Sequence, residues 1–291
     1  MSPLQPDDGH GEHMTTQPSN SESHGVGRDL SGKVLVVTGG SRGIGRSIVL
    51  AAAAKRARVA FCARDIRPAA QVAAEAERFS EPGAVIAMRA DITSEDDVEA
   101  LFDRTLQAFG RVDVVINNAG RLTAGPEAGQ GNLILQVPIS EWDALLGTNL
   151  TGAFLVSRRA VKQFLAQGSG GSIISIGSVA QDGGTGMASY AVSKAGLLGL
   201  TKTIAQEYGD KGIRAHIVVA GFLRTDLNKD MPEKQLQALI DWGPQKRAGL
   251  VQEIASVALF LASSCSAFIN GTAVFVSGGA KDIPAYAAQV K

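Results

Sequence analysis

Cysteine is scarce. The 291 residues contain two, Cys62 and Cys265, in apolar or small-residue surroundings, and neither belongs to a Cys-x-x-Cys or Cys/His ligand pattern. They read as free thiols in a reducing compartment, which points to the cytoplasm, and no metal site is expected. Net charge is absent as well: Lys plus Arg number 28, Asp plus Glu number 28, and the basic residues are scattered. The chain therefore lacks the electrostatic footprint that a nucleic acid or an anionic membrane would select, and a small molecule is the expected partner. No apolar run reaches the roughly 18 to 20 residues of a membrane span. Nor does "MSPLQPDDGHGEHMTTQPSNSESHGVG" have the basic start and apolar stretch of a secretory signal.

That opening stretch buries too little surface to offset its ordering entropy, so residues 1–28 are expected to form a disordered tail. Its histidines, His10, His13 and His24, read as part of that solvated tail rather than as metal ligands. With 45% apolar residues, no composition shift and no internal repeat, residues 29–291 are expected to fold as one domain.

From residue 33 onward, short apolar runs alternate with longer Ala-rich stretches. "KVLVVTG", "ARVAFCA", "AVIAMRAD", "VDVVINNAG", "GSIISIGS", "IRAHIVVAG" and "TAVFVSGG" lack the period of two, as strands buried on both faces of a parallel sheet do. Ser94 and Asp97 open a helix that Gly110 stops, and two long helices are expected over 140–167 and 189–209. The fold class is α/β, a Rossmann-type doubly wound parallel sheet of seven strands, with ligands at the carboxyl ends of the strands.

The first strand runs into "TGGSRGIG", residues 38–45, and a helix follows. Gly39, Gly43 and Gly45 suit a tight turn, close approach of backbone to a pyrophosphate and close helix packing, while the helix N-terminus offers free N–H groups to the anion. About 20 residues on, dinucleotide folds that select NAD place an acidic residue. Here Ala63 stands at that point and Arg64 follows. A guanidinium there, with Arg42 inside the loop, suits the 2′-phosphate of NADP. The alternative is a shifted register, with Asp65 as the ribose ligand and NAD(H) as cofactor.

At this point the chain resembles the classical short-chain dehydrogenase/reductase family, from Leu30 to about Gly279. The residues that carry the resemblance are "TGGSRGIG", Asp91 after the third strand, "NNAG" at 117–120, Asn149 in "GTNLTG", Ser178 in "SIGSVA", and Tyr190 with Lys194 in "YAVSK". It implies strand order 3-2-1-4-5-6-7 and a cofactor site that includes Gly39, Ser41, Arg42, Gly43, Ile44, Gly45 and Arg64. Asp91 and Ile92 would face the adenine, Asn118, Ala119 and Gly120 would line the cleft, and Gly221 and Thr225 would lie by the nicotinamide. It also implies dimers or tetramers that pair the helices over 140–167 and 189–209.

Tyr190 and Lys194 lie four residues apart on one helix face, so the ammonium can approach the phenol and also reach the nicotinamide ribose. A neighbouring cation and the oxidised cofactor would stabilise the phenolate and make Tyr190 a usable proton donor and acceptor. Ser178 would orient the carbonyl oxygen. Asn149, as the resemblance implies, would hold a water linking Lys194 to solvent. His216, inside a strand, reads as a structural residue.

Several positions depart from the family pattern. Ala220 replaces the usual proline before Gly221, which leaves that loop less constrained, and Ser277 replaces an acid or amide. The segment after "NNAG" is long. A lid is expected over about 221–249, with Leu236, Leu239, Ile240 and Trp242 available to cover an apolar substrate or to pack elsewhere. The closest look is to 3-oxoacyl-carrier-protein reductases, although Gln206 stands where a basic residue would read a carrier protein. The leading expectation is thus an NADPH-dependent ketoreductase acting on a 3-oxoacyl thioester or similar ketone, free or carrier-bound. The rivals are an NAD(P)-dependent dehydrogenase of a sugar, polyol or cyclic alcohol, and a catalytically silent NADP-binding sensor or scaffold.

Overall fold

The seven apolar runs form seven strands, and their lack of alternation follows from cover on both faces. The computed structural model describes residues 30–122, 133–184, 186–225 and 231–280. The expected N-terminal tail with its three histidines, residues 123–132 of the long loop and 226–230 of the expected lid lie outside these residues. The strands β1 (Val34–Thr38), β2 (Arg58–Ala63), β3 (Val85–Arg89), β4 (Val114–Asn117), β5 (Gly171–Ser178), β6 (Ile213–Ala220) and β7 (Thr272–Val276) pair in the order β3-β2-β1-β4-β5-β6-β7. All pairs are parallel, with Val36 of β1 opposite Ala60 of β2 and Val115 of β4.

The helices are α1 (Gly43–Ala54), α2 (Ile66–Ala76), α3 (Glu95–Phe109), α4 (Ile139–Leu146), α5 (Gly152–Gln167), α6 (Ala188–Tyr208), α7 (Glu233–Trp242) and α8 (Val251–Ala262). Successive strand residues point to opposite faces. Leu35 and Val37 pack with Ile48 of α1 and Ile254 of α8, while Val36 packs with Phe102 of α3, Val156 of α5 and Ile204 of α6. Helix α3 begins and ends as its sequence predicts: the Ser94 hydroxyl accepts the Asp97 N–H at 3.2 Å, and Gly110 closes the helix at φ 77°.

The helix expected over 140–167 is not continuous. Between α4 and α5 the chain widens into a π turn over Gly147–Thr151. Gly147, Thr148, Thr151 and Gly152 are weak helix formers. Gly152 also lies so close to Ile92 that an added Cβ would sit 2.6 Å from its side chain, so the chain is drawn toward the sheet here. The wider turn carries Asn149 inward.

At the end of β6 remote from Gly221, a half-buried arginine closes the C-terminus of α8. Arg214 Nη2 donates to Leu261 O at 3.0 Å, and Nη1 donates to Ser266 O at 3.1 Å and contacts His216 Nε2 at 2.8 Å. The guanidinium thus satisfies carbonyls that the last helical turn leaves open. His216 must accept through Nε2, so its proton resides on Nδ1, which is buried without a hydrogen-bond partner among the described residues. This fits the structural reading of His216.

Candidate active site

The glycine turn after β1 and the "NNAG" turn after β4 are stapled together by Thr38 and Asn118. Thr38 Oγ1 accepts the N–H groups of Asn118 and Ala119 at 3.1 and 3.0 Å, and Asn118 Nδ2 donates to the carbonyls of Thr38 and Gly39 at 2.9 Å each. Asn118 therefore shapes the cleft floor as well as lining it. Two glycines are dictated by this approach. Gly39 has φ 67° and a Cβ there would lie 2.8 Å from Ala119 Cα; a Cβ on Gly45 would lie 2.1 Å from Gly39 O. Gly45 does not line the cleft, because its function is to let α1 approach the turn. No side chain caps the N-terminus of α1, so its first amides remain available to an anion.

At one end of the cleft stand Arg42 and Arg64, both exposed. Nearby arginines are occupied, Arg46 by Glu75 and Arg67 by Asp65, but Arg42 and Arg64 form no salt bridge among the described residues. Asp65 does not line the cleft. Its carboxylate accepts the Arg67 N–H at 3.0 Å and caps α2. Asp91 does line it, with Oδ1 accepting from Thr93 N at 3.0 Å and Thr93 Oγ1 at 2.8 Å. The Thr93 backbone bond, then its hydroxyl, then the nearby Arg64 and Arg89 hold this carboxyl below the usual range. Ser41, Gly43, Ile44, Ile92, Ala119, Gly120, Gly221 and Thr225 also border the cleft.

At the other end β5 delivers Ser178 and the first turn of α6 delivers Tyr190. The Ser178 hydroxyl lies near enough to the Tyr190 phenol to favour its charged form, and its oxygen accepts Ala180 N at 3.2 Å. Lys194 follows one turn later, its Nζ 5.7 Å from the Tyr190 ring centre and donating to Ile176 O at 2.8 Å. Burial pulls Lys194 down to about 8. Burial also pushes the Tyr190 phenol up, and the Ser178 hydroxyl offsets part of that rise. Here the ammonium donates to the Ile176 carbonyl, and desolvation is the largest influence on the phenol.

Asn149 lies behind the cleft wall rather than on it. It is 1% exposed, its Oδ1 accepts Arg121 N at 2.8 Å, and its Nδ2 donates to Arg121 O at 2.9 Å and Ser193 Oγ at 3.0 Å. The side chain is thus a clasp, with both amide hydrogens engaged. Sequence reasoning missed Ser193 and Arg121, whose parts depend on contacts across 44 and 28 residues.

The apolar lining of the cleft includes Leu122, Met187, Phe222, Leu223, Met231 and Leu239. Of the expected lid residues, Leu239 lines the cleft and Leu236 is buried; Ile240 and Trp242 do not line it, and Trp242 is 51% exposed. The eight-residue spacing from Leu239 to Met231 brings only that side of α7 and its approach to the cavity. Despite Ala220, the loop after β6 is tied to its neighbours: Gly221 N donates to Val276 O at 3.1 Å and Gly249 N to Phe222 O at 2.9 Å. Among the described residues no cluster of metal-ligating side chains occurs, and no helix is long and apolar enough to cross a membrane.

The sequence and the fold are similar to those of known enzymes. A family model described as enoyl-(acyl carrier protein) reductase matches residues 39–281. The chain is 36% identical to the 3-oxoacyl-[acyl-carrier-protein] reductase of Synechocystis over 252 residues, covering 86% of this chain and 97% of that protein. It is 34% identical to the Escherichia coli enzyme of the same name, covering 86% and 98%. Among solved structures, levodione reductase superposes with a TM-score of 0.80 at 31% identity, over 86% of this chain and 97% of that one. A short-chain type dehydrogenase/reductase from Mycobacterium marinum gives 0.79 at 32%, over 87% and 97%. With this breadth of similarity, and with Ser178, Tyr190 and Lys194 gathered beside a glycine-turn cleft, the chain belongs to the short-chain dehydrogenase/reductase family and is an NAD(P)-dependent oxidoreductase acting on CH–OH/C=O groups.

Proposed function

We propose that this protein is an NADPH-dependent ketoreductase that reduces a 3-oxoacyl thioester or similar ketone to a secondary alcohol. The observation that carries the reading is the placement of Ser178, Tyr190 and Lys194 together along a cleft that Arg42, Arg64 and the apolar side chains of Met187, Phe222 and Leu239 also line. The names of the 3-oxoacyl-[acyl-carrier-protein] reductases it resembles support the substrate class.

The residues present fit a phosphorylated dinucleotide. Close packing of the glycine turn, the uncapped α1 N-terminus and two cleft-side guanidiniums suit a pyrophosphate and a 2′-phosphate. Asp65, engaged as the cap of α2, is poorly placed to take a ribose hydroxyl. When bound, the cofactor supplies hydride to the carbonyl carbon. Ser178 donates to the carbonyl oxygen and orients it. Tyr190 then gives its phenolic proton to that oxygen as negative charge develops there; burial disfavours the phenolate left behind, so the phenol must be reprotonated for turnover to continue. Lys194, one turn away on α6, would hold the nicotinamide ribose and resupply the proton. The apolar side chains of Met187, Phe222, Met231 and Leu239 receive the acyl or alkyl portion and exclude water.

The protein would act in the cytoplasm as a dimer or tetramer. Faces of α5 and α6 that leave Phe154 44% and Val192 43% exposed would pair between subunits. Solution mass by light scattering tests that assembly.

Activity is tested by following NADPH oxidation with a short 3-oxoacyl thioester, a 2-enoyl thioester, simple ketones and, in reverse, sugars and polyols with NADP and NAD. Turnover of the 3-oxoacyl compound, lost by about 10²-fold or more in Tyr190→Phe, is expected. Faster NAD-driven alcohol oxidation would replace the proposal with the dehydrogenase reading. Cofactor binding without turnover of any substrate, unchanged in Tyr190→Phe, would instead favour a silent sensor or scaffold.

A further inference from the structure

Ser193 lies between Tyr190 and Lys194 in sequence, is 0% exposed and does not line the cleft. Its hydroxyl nevertheless touches the machinery on both sides. Ser193 Oγ donates to Tyr190 O at 2.7 Å, the back-bond of a helical serine to the preceding turn. The same oxygen accepts from Asn149 Nδ2 at 3.0 Å, across 44 residues of sequence. The other contacts of the Asn149 amide go to a single residue, Arg121, whose N–H it accepts at 2.8 Å and whose carbonyl it meets at 2.9 Å.

Two partners therefore hold this amide, one beside the cleft and one behind it. On the β4 side is the backbone that follows Gly120, and on the α6 side is Ser193. Gly120 lies beside both groups: a Cβ built there would lie 3.3 Å from Asn149 Oδ1 and 3.6 Å from Lys194 Nζ. Each hydrogen bond to a fully buried amide narrows its orientation, and leaving one hydrogen without a partner costs the desolvation of that group. Truncating Ser193 orphans one Asn149 hydrogen and releases the Tyr190 carbonyl from its extra bond.

We infer that Ser193 is a positioning residue of this active site, acting through Asn149: its hydroxyl locks the first turn of α6, and with it Tyr190, to the π turn and to the backbone at Arg121. The inference rests on the reading of this cleft as a ketoreductase site. Ser193 touches neither cofactor nor substrate, so its effect belongs in the chemical step, where misplacement of a proton donor by a fraction of an ångström is costly.

The test is a double-mutant cycle on the full-length protein, with NADPH and a ketone turned over by the wild type. Ser193→Ala is expected to lower kcat about tenfold while the ketone KM and the NADPH Kd stay within about twofold. On an Asn149→Ala background the same substitution is expected to change kcat by less than about twofold, because its route of action is already gone. Should Asn149→Ala fail to fold, Asn149→Ser supplies that arm. Losses that multiply in the double variant, or a Ser193→Ala kcat within twofold of wild type, overturn the inference while leaving the ketoreductase reading intact. No turnover by the wild type on any carbonyl overturns both.

Discussion

Acid should loosen this protein through His216 before most of its surface responds. The ring is 0% exposed and its Nε2 lies 2.8 Å from Arg214 Nη1, so a proton on that nitrogen would both lose the contact and face a cation. Burial first, and the positive charge of Arg214 second, pull His216 from 6.5 down to about 4. The sign follows from linkage. With the folded-state value depressed, the unfolded chain takes up the proton first as pH falls; the contribution is complete above pH 6.5, declines from there to pH 4, and then stays flat. The gap between 6.5 and 4 corresponds to about 3 kcal/mol. Carboxylates also titrate at the lower end, so the clean readout is a difference. Urea unfolding of wild type and His216→Asn would be measured from pH 7.5 to pH 4. The wild type is expected to lose about 3 kcal/mol more than the variant across that range. Parallel stability curves would show that the imidazole titrates alike in both states, and the account of the Arg214 knot would be wrong.

Other expectations are local and direct. Arg64→Ala should weaken NADPH binding by about 1–3 kcal/mol and leave NADH unchanged in a fluorescence titration, and equal losses for both cofactors would remove the 2′-phosphate assignment. Asp65→Ala should lower the melting temperature through loss of a helix cap worth about 1 kcal/mol, with NADH affinity intact; a large loss of NADH affinity would restore Asp65 as the ribose ligand. Gly45→Ala, with its Cβ 2.1 Å from Gly39 O, should destabilise by about 1–3 kcal/mol or more and abolish cofactor binding. Lys194 loses its proton near pH 8 in the free protein, so kcat/KM should fall above that pH, and a profile flat to pH 10 would show that its charge is not required.

The fold was legible because buried parallel strands leave a mark that survives in one dimension. Val34, Leu35, Val36 and Val37 are all apolar because β1 is covered on both sides, and the glycine turn after it reports the approach of two backbones. Tyr190 and Lys194 were legible for a similar reason, since a helix makes four residues of sequence into one turn of space. What stayed hidden depends on distance in sequence or on irregular backbone. Nothing in "WDALLGTNLTGAF" fixes a π turn in preference to a continuous helix, and only that turn brings Asn149 against Ser193 and Arg121. Position 63–65 illustrates the middle case. The letters "ARD" allow either an arginine or an aspartate at the cofactor, and the choice depends on which residue begins the helix. Because Asp65 caps α2, its carboxylate is already engaged by the Arg67 amide, and Arg64 is the side chain left to face the cleft. A local capping preference thus bears on the cofactor site, because it engages the acid at the helix start and leaves the guanidinium beside the cleft.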